Sequence, residues 1–485
     1  MQTGEKEAAT PAPAAVEKSE GYKWAYVVIG LAVLFGSMAA PVPGGMKPEA
    51  VRTLGVMLTS ILWWVTETFP IPVTALMIPV MVHGLKIMPL SEALRESFGN
   101  TLIPFMIGVL GLSAALNASG LGKRITYRLL TLAGTSTTRV VAVYFWMSFL
   151  ISMFIDDVAV VAMMLPLVLG LLKTIDAKAG SSNFGKALMM AIMFGAVLGG
   201  LCTPAGVSSN VITLAFMAKA NVHVSFLYWT LVSTPIALAI AALSGWLIIK
   251  MFPPEIARLP YGRDVLEQEL EALGAMSTKE KTTGVVFLLA VLAWLTSDAT
   301  HIPIPLVSLL ILAGITLPGV GVFRNWRDLR IEWGGVVLLV GGFVVGIAAS
   351  KTGLASWVVQ KALSPMAFLP RLLQPAAVTL LIAVDSLGFS SFGTTASVNV
   401  PFIIAYAQHN GFPLLALTLT AGLASSIHFI LVTQSPTLML PYAYGYYSFK
   451  DLAKFGALVT LVSAAVIAIG MAVAGMPAGL PMPIK

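Results

Sequence analysis

Two adjacent aspartates, Asp156 and Asp157, interrupt an apolar run that extends from Val140 to Leu172. A carboxylate in such surroundings is costly unless it meets a cation, a proton or a buried partner. Neighbouring carboxylates also raise each other's proton affinity, so the pair could hold sodium or shuttle a proton. Three other short polar stretches lie in equally apolar flanks: Thr203 to Asn210, Ser390-Ser391-Phe392-Gly393-Thr394-Thr395, and Thr433-Gln434-Ser435-Pro436-Thr437. Their small, hydroxyl and amide residues suit helix ends, whose free N–H groups can hold an anion without a fixed arginine. His428, just before the last stretch, is a further protonatable group.

Plainer roles compete for the same residues. Asp156 and Asp157 could cap a helix or form a structural ion pair, and Thr394, Thr395, Ser208, Ser209 and Asn210 could simply satisfy broken helix ends. Glu67 reads as a capping or pairing residue at a membrane-face turn. Asp385 divides between a buried partner and a coupling group, and His428 between a core histidine and a coupling one.

The elements that must position these residues follow from composition. Of 485 residues 57% are hydrophobic and only 11% charged, a balance that marks a polytopic membrane protein. The single Cys202 leaves no disulfide framework and no cysteine metal cluster. The net charge of +7 sits in short loops between apolar runs, which suits anionic lipid and not nucleic acid. No phosphate loop, nucleophile elbow or metal-ligand spacing occurs, so an enzyme is not expected.

A hydrocarbon core of about 30 Å takes about 20 apolar residues per helix. That length predicts a polar, disordered cytoplasmic tail over 1–22 and a first transmembrane helix within 23–49. A first repeat follows over 50–251, with a re-entrant hairpin at 137–175 and a helix interrupted at Thr203–Gly206. A cytoplasmic linker spans 252–281 and includes an amphipathic helix. A second repeat covers 282–476, with a hairpin at 372–408 and an interrupted helix near 412–448, and 477–485 is a C-terminal tail. Asn117-Ala118-Ser119-Gly120-Leu121 returns as Ser350-Lys351-Thr352-Gly353-Leu354, and Pro166 returns as Pro401, at nearly one spacing. Each half has an odd number of crossings, so the halves must be inverted, as in secondary transporters. The fold class is all-α and polytopic, with about 11 transmembrane helices and two hairpins. Lysine and arginine in the loops place the N-terminus in the cytoplasm of a cell (inner) membrane protein.

Trp63-Trp64-Val65-Thr66-Glu67-Thr68-Phe69-Pro70-Ile71-Pro72-Val73-Thr74-Ala75 resembles the opening signature of the divalent anion:sodium symporter family. Gly199-Gly200 with Thr203, Gly206 and Asn210 is similar to that family's first helix break. Ala162-Met163-Met164-Leu165-Pro166 is similar to its first hairpin exit, and Gly445-Tyr446 with Lys450-Asp451 to the turn before its last helix. The resemblance implies a homodimeric elevator carrying dicarboxylates, citrate or sulfate. Family hairpins carry Ser-Asn-Thr at both tips; here the matching positions read Asp156-Asp157-Val158 and Ser391-Phe392-Gly393.

The expected function is secondary transport of a small organic or inorganic anion of the di- or tricarboxylate, sulfate or sulfonate class, coupled to sodium or protons. A cation/proton antiporter using Asp156 and Asp157 is the alternative. Substrate contacts are expected from Asp157, Val158, Ser391, Phe392, Gly393, Thr394, Thr395, Ser208, Asn210, Ser435, Pro436 and Thr437. The coupling ion is expected at Ser152, Asp156, Asp157, Thr203, Gly206, Ser390 and His428, with sodium held by Asp156 and Asp157. No other cofactor is expected.

Overall fold

The computed structural model describes residues 20–130, 134–259, 270–331 and 333–474. The expected tails, apart from the last few residues of the first, and the middle of the linker with its amphipathic helix lie outside them. The described chain is all-α. Helices α1 (Glu20–Ala39), α2 (Pro48–Val65) and α3 (Ile71–Gly84) run back and forth, and a short amphipathic α4 (Leu90–Phe98) leads into α5 (Leu102–Ser119) and α6 (Leu121–Leu130). The first hairpin is α7 (Thr137–Ser152) with α8 (Asp157–Thr174); the first broken helix is α9 (Asn183–Gly200) with α10 (Ser208–Lys219), and α11 (Phe226–Met251) closes the half.

The second half repeats this order. Helix α12 (Thr278–Leu295), the single turn α13 (Ser297–Thr300), α14 (Ile304–Ile315) and α15 (Trp333–Thr352) precede the short α16 (Leu354–Val358). The second hairpin is α17 (Gln374–Asp385) with α18 (Phe392–Asn410), the second broken helix is α19 (Leu414–Ala424) with α20 (Pro436–Tyr442), and α21 (Phe449–Ala474) ends the described chain.

Local chemistry sets the punctuation. Gly120 and Gly353 stand at φ +83° and +80° after α5 and α15, the left-handed turn that glycine takes without a Cβ penalty. The repeated motif therefore marks one turn made twice. Ser182 caps α9 by accepting from the Gly185 N–H at 3.0 Å, and Ser277 with Glu280 forms a capping box at the start of α12. Pro204 cannot extend α9, since it lacks an N–H and clashes with the preceding turn. At Gly199 a Cβ would lie 2.8 Å from the Phe149 Cα, so α9 packs directly on the α7 backbone.

Two apolar cores result. The smaller joins α1 to α4 with part of α15, the start of α16 and Phe389 and Val398 of the second hairpin; the larger gathers both hairpins, both broken helices, α5, α11, α12, α14, α21 and the rest of α15. The linker ties itself to the larger body. Arg124 on α6 reaches Glu280 at 2.5 Å and the Gly274 carbonyl at 2.8 Å. Glu255 accepts from Ser182 Oγ at 2.5 Å and from the Phe184 N–H at 2.7 Å, at the start of α9.

Sequence reading missed α4, α6 and the irregular turns over 354–373, all short of a membrane's thickness. Helices α3 and α14 end at 84 and 315 although the apolar runs continue a few residues further, and loops take up the remainder.

Candidate functional site

Both hairpin tips and both helix breaks meet around one cavity of about 550 Å³. This size suits a small ligand. Its wall takes Asp156, Asp157 and Val158 from the first tip, Ser390, Ser391 and Phe392 from the second, Val207 and Ser208 from the first break, and Ser435 and Pro436 from the second. The helices α8, α10 and α18 all begin at this wall, after N-caps Asp156, Val207 and Ser391. Three positive dipole ends therefore converge on one volume, and those of α10 and α18 make no side-chain cap bond.

Contacts across the duplicated halves hold the arrangement. Thr437 Oγ1 donates to Asp157 Oδ2 at 2.7 Å, joining the first tip to the second break. Ser209 and Ser426 share a hydrogen bond at 2.6 Å between the breaks. A Cβ on Gly393 would stand 3.1 Å from Ser208 Oγ, so the second tip lies against the first break. Within the first half, Thr203 Oγ1 donates to the Met153 carbonyl, and Ser152 Oγ to that of Ile155 at 3.2 Å. Asp156 Oδ1 accepts from the Val158 N–H at 3.2 Å, so it is also the helix cap.

Of the residues expected to touch substrate, Asp157, Val158, Ser208, Ser391, Phe392, Ser435 and Pro436 line the cavity. Gly393, Thr394, Thr395, Asn210 and Thr437 do not, and are packed behind its wall. Of the expected coupling residues, Asp156, Asp157 and Ser390 line it, whereas Ser152, Thr203 and His428 are fully buried behind it, and Gly206 is buried there too. His428 Nε2 lies 2.8 Å from the Ser425 carbonyl, and its ring meets Phe392 edge-on at 5.1 Å. Three buried atoms near the site have no hydrogen-bond partner: Asn210 Oδ1, Thr394 Oγ1 and His428 Nδ1. Asp385 lies off the cavity wall and accepts from Asn399 Nδ2 at 2.8 Å.

Sequence reasoning missed the opposite wall. Lys23, Glu67, Phe69 to Pro72, Met106, Leu110, Gly334, Gly335 and Leu338 face the same cavity. Glu67 stands at φ +49° and lines the cavity together with Lys23 from the start of α1. The only sequence signal was its place inside an unusual Trp-, Pro- and Thr-rich motif between two spans.

Comparison with known proteins puts this geometry in context. Residues 21–479 match the family described as the sodium:sulfate symporter transmembrane region. A sodium-dependent dicarboxylate transporter, SdcS, of Staphylococcus saprophyticus is 26% identical, covering 91% of this chain and 90% of its own length. SdcS of Staphylococcus aureus is 25% identical with the same coverage. The crystal structure of the Alcanivorax borkumensis YdaH transporter aligns with a TM-score of 0.54 at 16% identity, over 80% of this chain and 87% of that one.

Proposed function

Because the chain belongs to the sodium:sulfate symporter transmembrane family, a branch of the divalent anion:sodium symporters, we propose that it is a secondary transporter that moves a small dicarboxylate-class anion together with sodium. It is a multi-pass membrane carrier and not an enzyme. The observation that carries the reading is the convergence on one cavity of the N-termini of α10 and α18, neither capped by a side chain, beside the aspartate-bearing start of α8. Anionic carboxylate oxygens are stabilised at such ends by dipole and free N–H groups together.

Asp156 and Asp157 are the cation side of the site in this reading. Hard cations favour carboxylate and carbonyl oxygen, and Ser152, Met153 and Ile155 supply main-chain oxygens at the same tip. The second tip, with Ser391, Phe392 and Gly393, faces the anion. Movement is by an elevator: the body holding both hairpins and both broken helices slides against the frame of α1 to α4 and α15. The smaller apolar core runs through α1 to α4 and part of α15, on the frame side of this division. The N-terminus is cytoplasmic, so the cavity faces inward here, and the carrier works as a homodimer.

Uptake of labelled succinate into proteoliposomes tests the proposal, with an imposed sodium gradient compared with an imposed proton gradient. Sodium-driven uptake, competed by unlabelled dicarboxylates, is expected. Uptake driven by protons alone would move coupling to the aspartates as proton carriers. Proton release on sodium addition without any anion uptake would favour the cation/proton antiporter.

A further inference from the structure

Among the described lining residues of the cavity, every charged side chain but one is an acid. Asp156 and Asp157 stand at the first hairpin tip and Glu67 at the turn between α2 and α3, while Lys23, one turn into α1, is the single cation. The wall around Lys23 and Glu67 is otherwise apolar or bare backbone: Phe69, Ile71, Met106 and Leu338 offer no polar side-chain atom, and Gly334-Gly335 has no side chain to offer. Lys23 is exposed, and among the described residues it makes no ion pair, with Glu67 or with any other carboxylate. Its ammonium therefore keeps its charge and its three donors for a ligand.

A ligand with two carboxylates tests both sides of such a cavity. The N-termini of α10 and α18, with no side-chain cap bond, suit one of them. The other lies a carbon chain away, and what it meets there decides whether a dianion is preferred to a monoanion. Turned toward Asp156 and Asp157 it would be repelled. Turned toward the apolar wall it would lose water without gaining a partner, which is costly for a charged group. Lys23 is the one lining side chain that can answer it with a positive charge and hydrogen-bond donors together.

We propose that Lys23 is the residue that selects dianions, by supplying the counter-charge for the second carboxylate in the inward-facing cavity. This rests on the dicarboxylate-carrier reading above. Its location gives the preference a direction. Lys23 belongs to α1, in the frame, whereas α10 and α18 start in the moving body, so a dianion held between them is held only while the two face each other as they do here. When the moving body slides away, Lys23 stays behind. The preference for a dianion over a monoanion is therefore a property of the inner face, and a monoanion, whose one carboxylate is spent on the helix ends, gains little from Lys23 on either face.

Exchange of labelled succinate across proteoliposomes of one orientation, with sodium on both sides, tests the proposal. The half-maximal concentration is measured on each face for succinate and for its half-amide, succinamate, a monoanion of the same length used as competitor. On the face that carries the N-terminus, Lys23→Gln should raise the succinate value about fivefold, as for an exposed ion pair, and the succinamate value less than about twofold. On the other face neither should change, and Lys23→Arg should behave as the natural chain on both. An equal rise for the two probes, a rise on both faces, no rise at all, or loss of the preference in Lys23→Arg would overturn the proposal. Absence of labelled exchange in the natural chain would instead overturn the dicarboxylate-carrier reading beneath it. Lys23 is exposed, so both variants should fold.

Discussion

Removing the Thr437 hydroxyl with Thr437→Val should cost the site more than an ordinary side-chain hydrogen bond. The bond to Asp157 is 2.7 Å long, and both residues are buried, Asp157 at 1% exposure. Hydrogen bonds to charged groups contribute about 1.5–3 kcal/mol, against about 1 kcal/mol for neutral ones. Asp157→Asn removes the charge but keeps an acceptor for the same hydroxyl. Thr437→Val should therefore destabilise the natural protein by about 1.5–3 kcal/mol and the Asp157→Asn variant by about 1 kcal/mol. The cycle should then show a coupling of about 0.5–2 kcal/mol. Unfolding of the four proteins in detergent micelles, followed by tryptophan fluorescence, measures it. Saturating sodium should lessen the cost of Thr437→Val when Asp157 is present, because the ion would satisfy the carboxylate that the hydroxyl no longer serves. A coupling below about 0.5 kcal/mol, unchanged by sodium, would refute both the ionised carboxylate and its role at the cation site.

Two further outcomes are expected. Lys219 at the end of α10 lies 3.1 Å from the Glu96 carbonyl and 3.6 Å from its carboxylate on α4, bridging the proposed moving body and frame. The gross attraction is about 5 kcal/mol at an effective dielectric near 20, but the side chains are 26% and 37% exposed, so the net is about 1 kcal/mol. Lys219→Ala should shift the population of the present state about fivefold, read from fluorescence distances between α4 and α10; an unchanged distribution would show that the pair latches nothing. At the linker, partial burial alone would raise the Glu255 carboxyl, but its bonds from Ser182 and the Phe184 N–H outweigh this and hold it below the usual carboxylate range. A depressed carboxyl contributes stability above its unfolded pKa, near 4.3, and loses it as pH falls through the folded value. Proteolysis of the linker should therefore quicken in acid below about pH 4, and Glu255→Gln should be cleaved readily at neutral pH also; equal rates at neutral pH would refute the strap.

Features with a local cause were legible in the sequence. Pro204 and the Gly-rich flank announce a broken helix, and Asp156 with Asp157 announces a turn that lipid could not hold. Gly120 and Gly353 reveal the duplication because both need the same left-handed turn. Features made by distance were not legible. Thr437 and Asp157 are 280 residues apart, and nothing near either names the other. The side chains of α4 and α6 lack a membrane-length apolar run, so length alone passes over them.

Glu67 and Lys23 belong to the same group, and they alter the electrostatic argument most. Among the described lining residues, Glu67, Asp156 and Asp157 face a single cation, Lys23. An anion entering such a cavity adds like charge to a region of lowered dielectric, where repulsion is strong. The N-termini of α8, α10 and α18 offset part of this, but α8 already carries Asp156 as its cap and Asp157 in its first turn. That leaves α10 and α18 for the anion and leaves the carboxylates to be balanced by something that arrives with it. In the proposed carrier the anion and its cation would be bound in each other's field, so each should raise the affinity for the other. Coupling then follows from the charge of the wall, and a variant that removes it, such as Asp157→Asn, should bind the anion with less dependence on sodium and not simply more weakly.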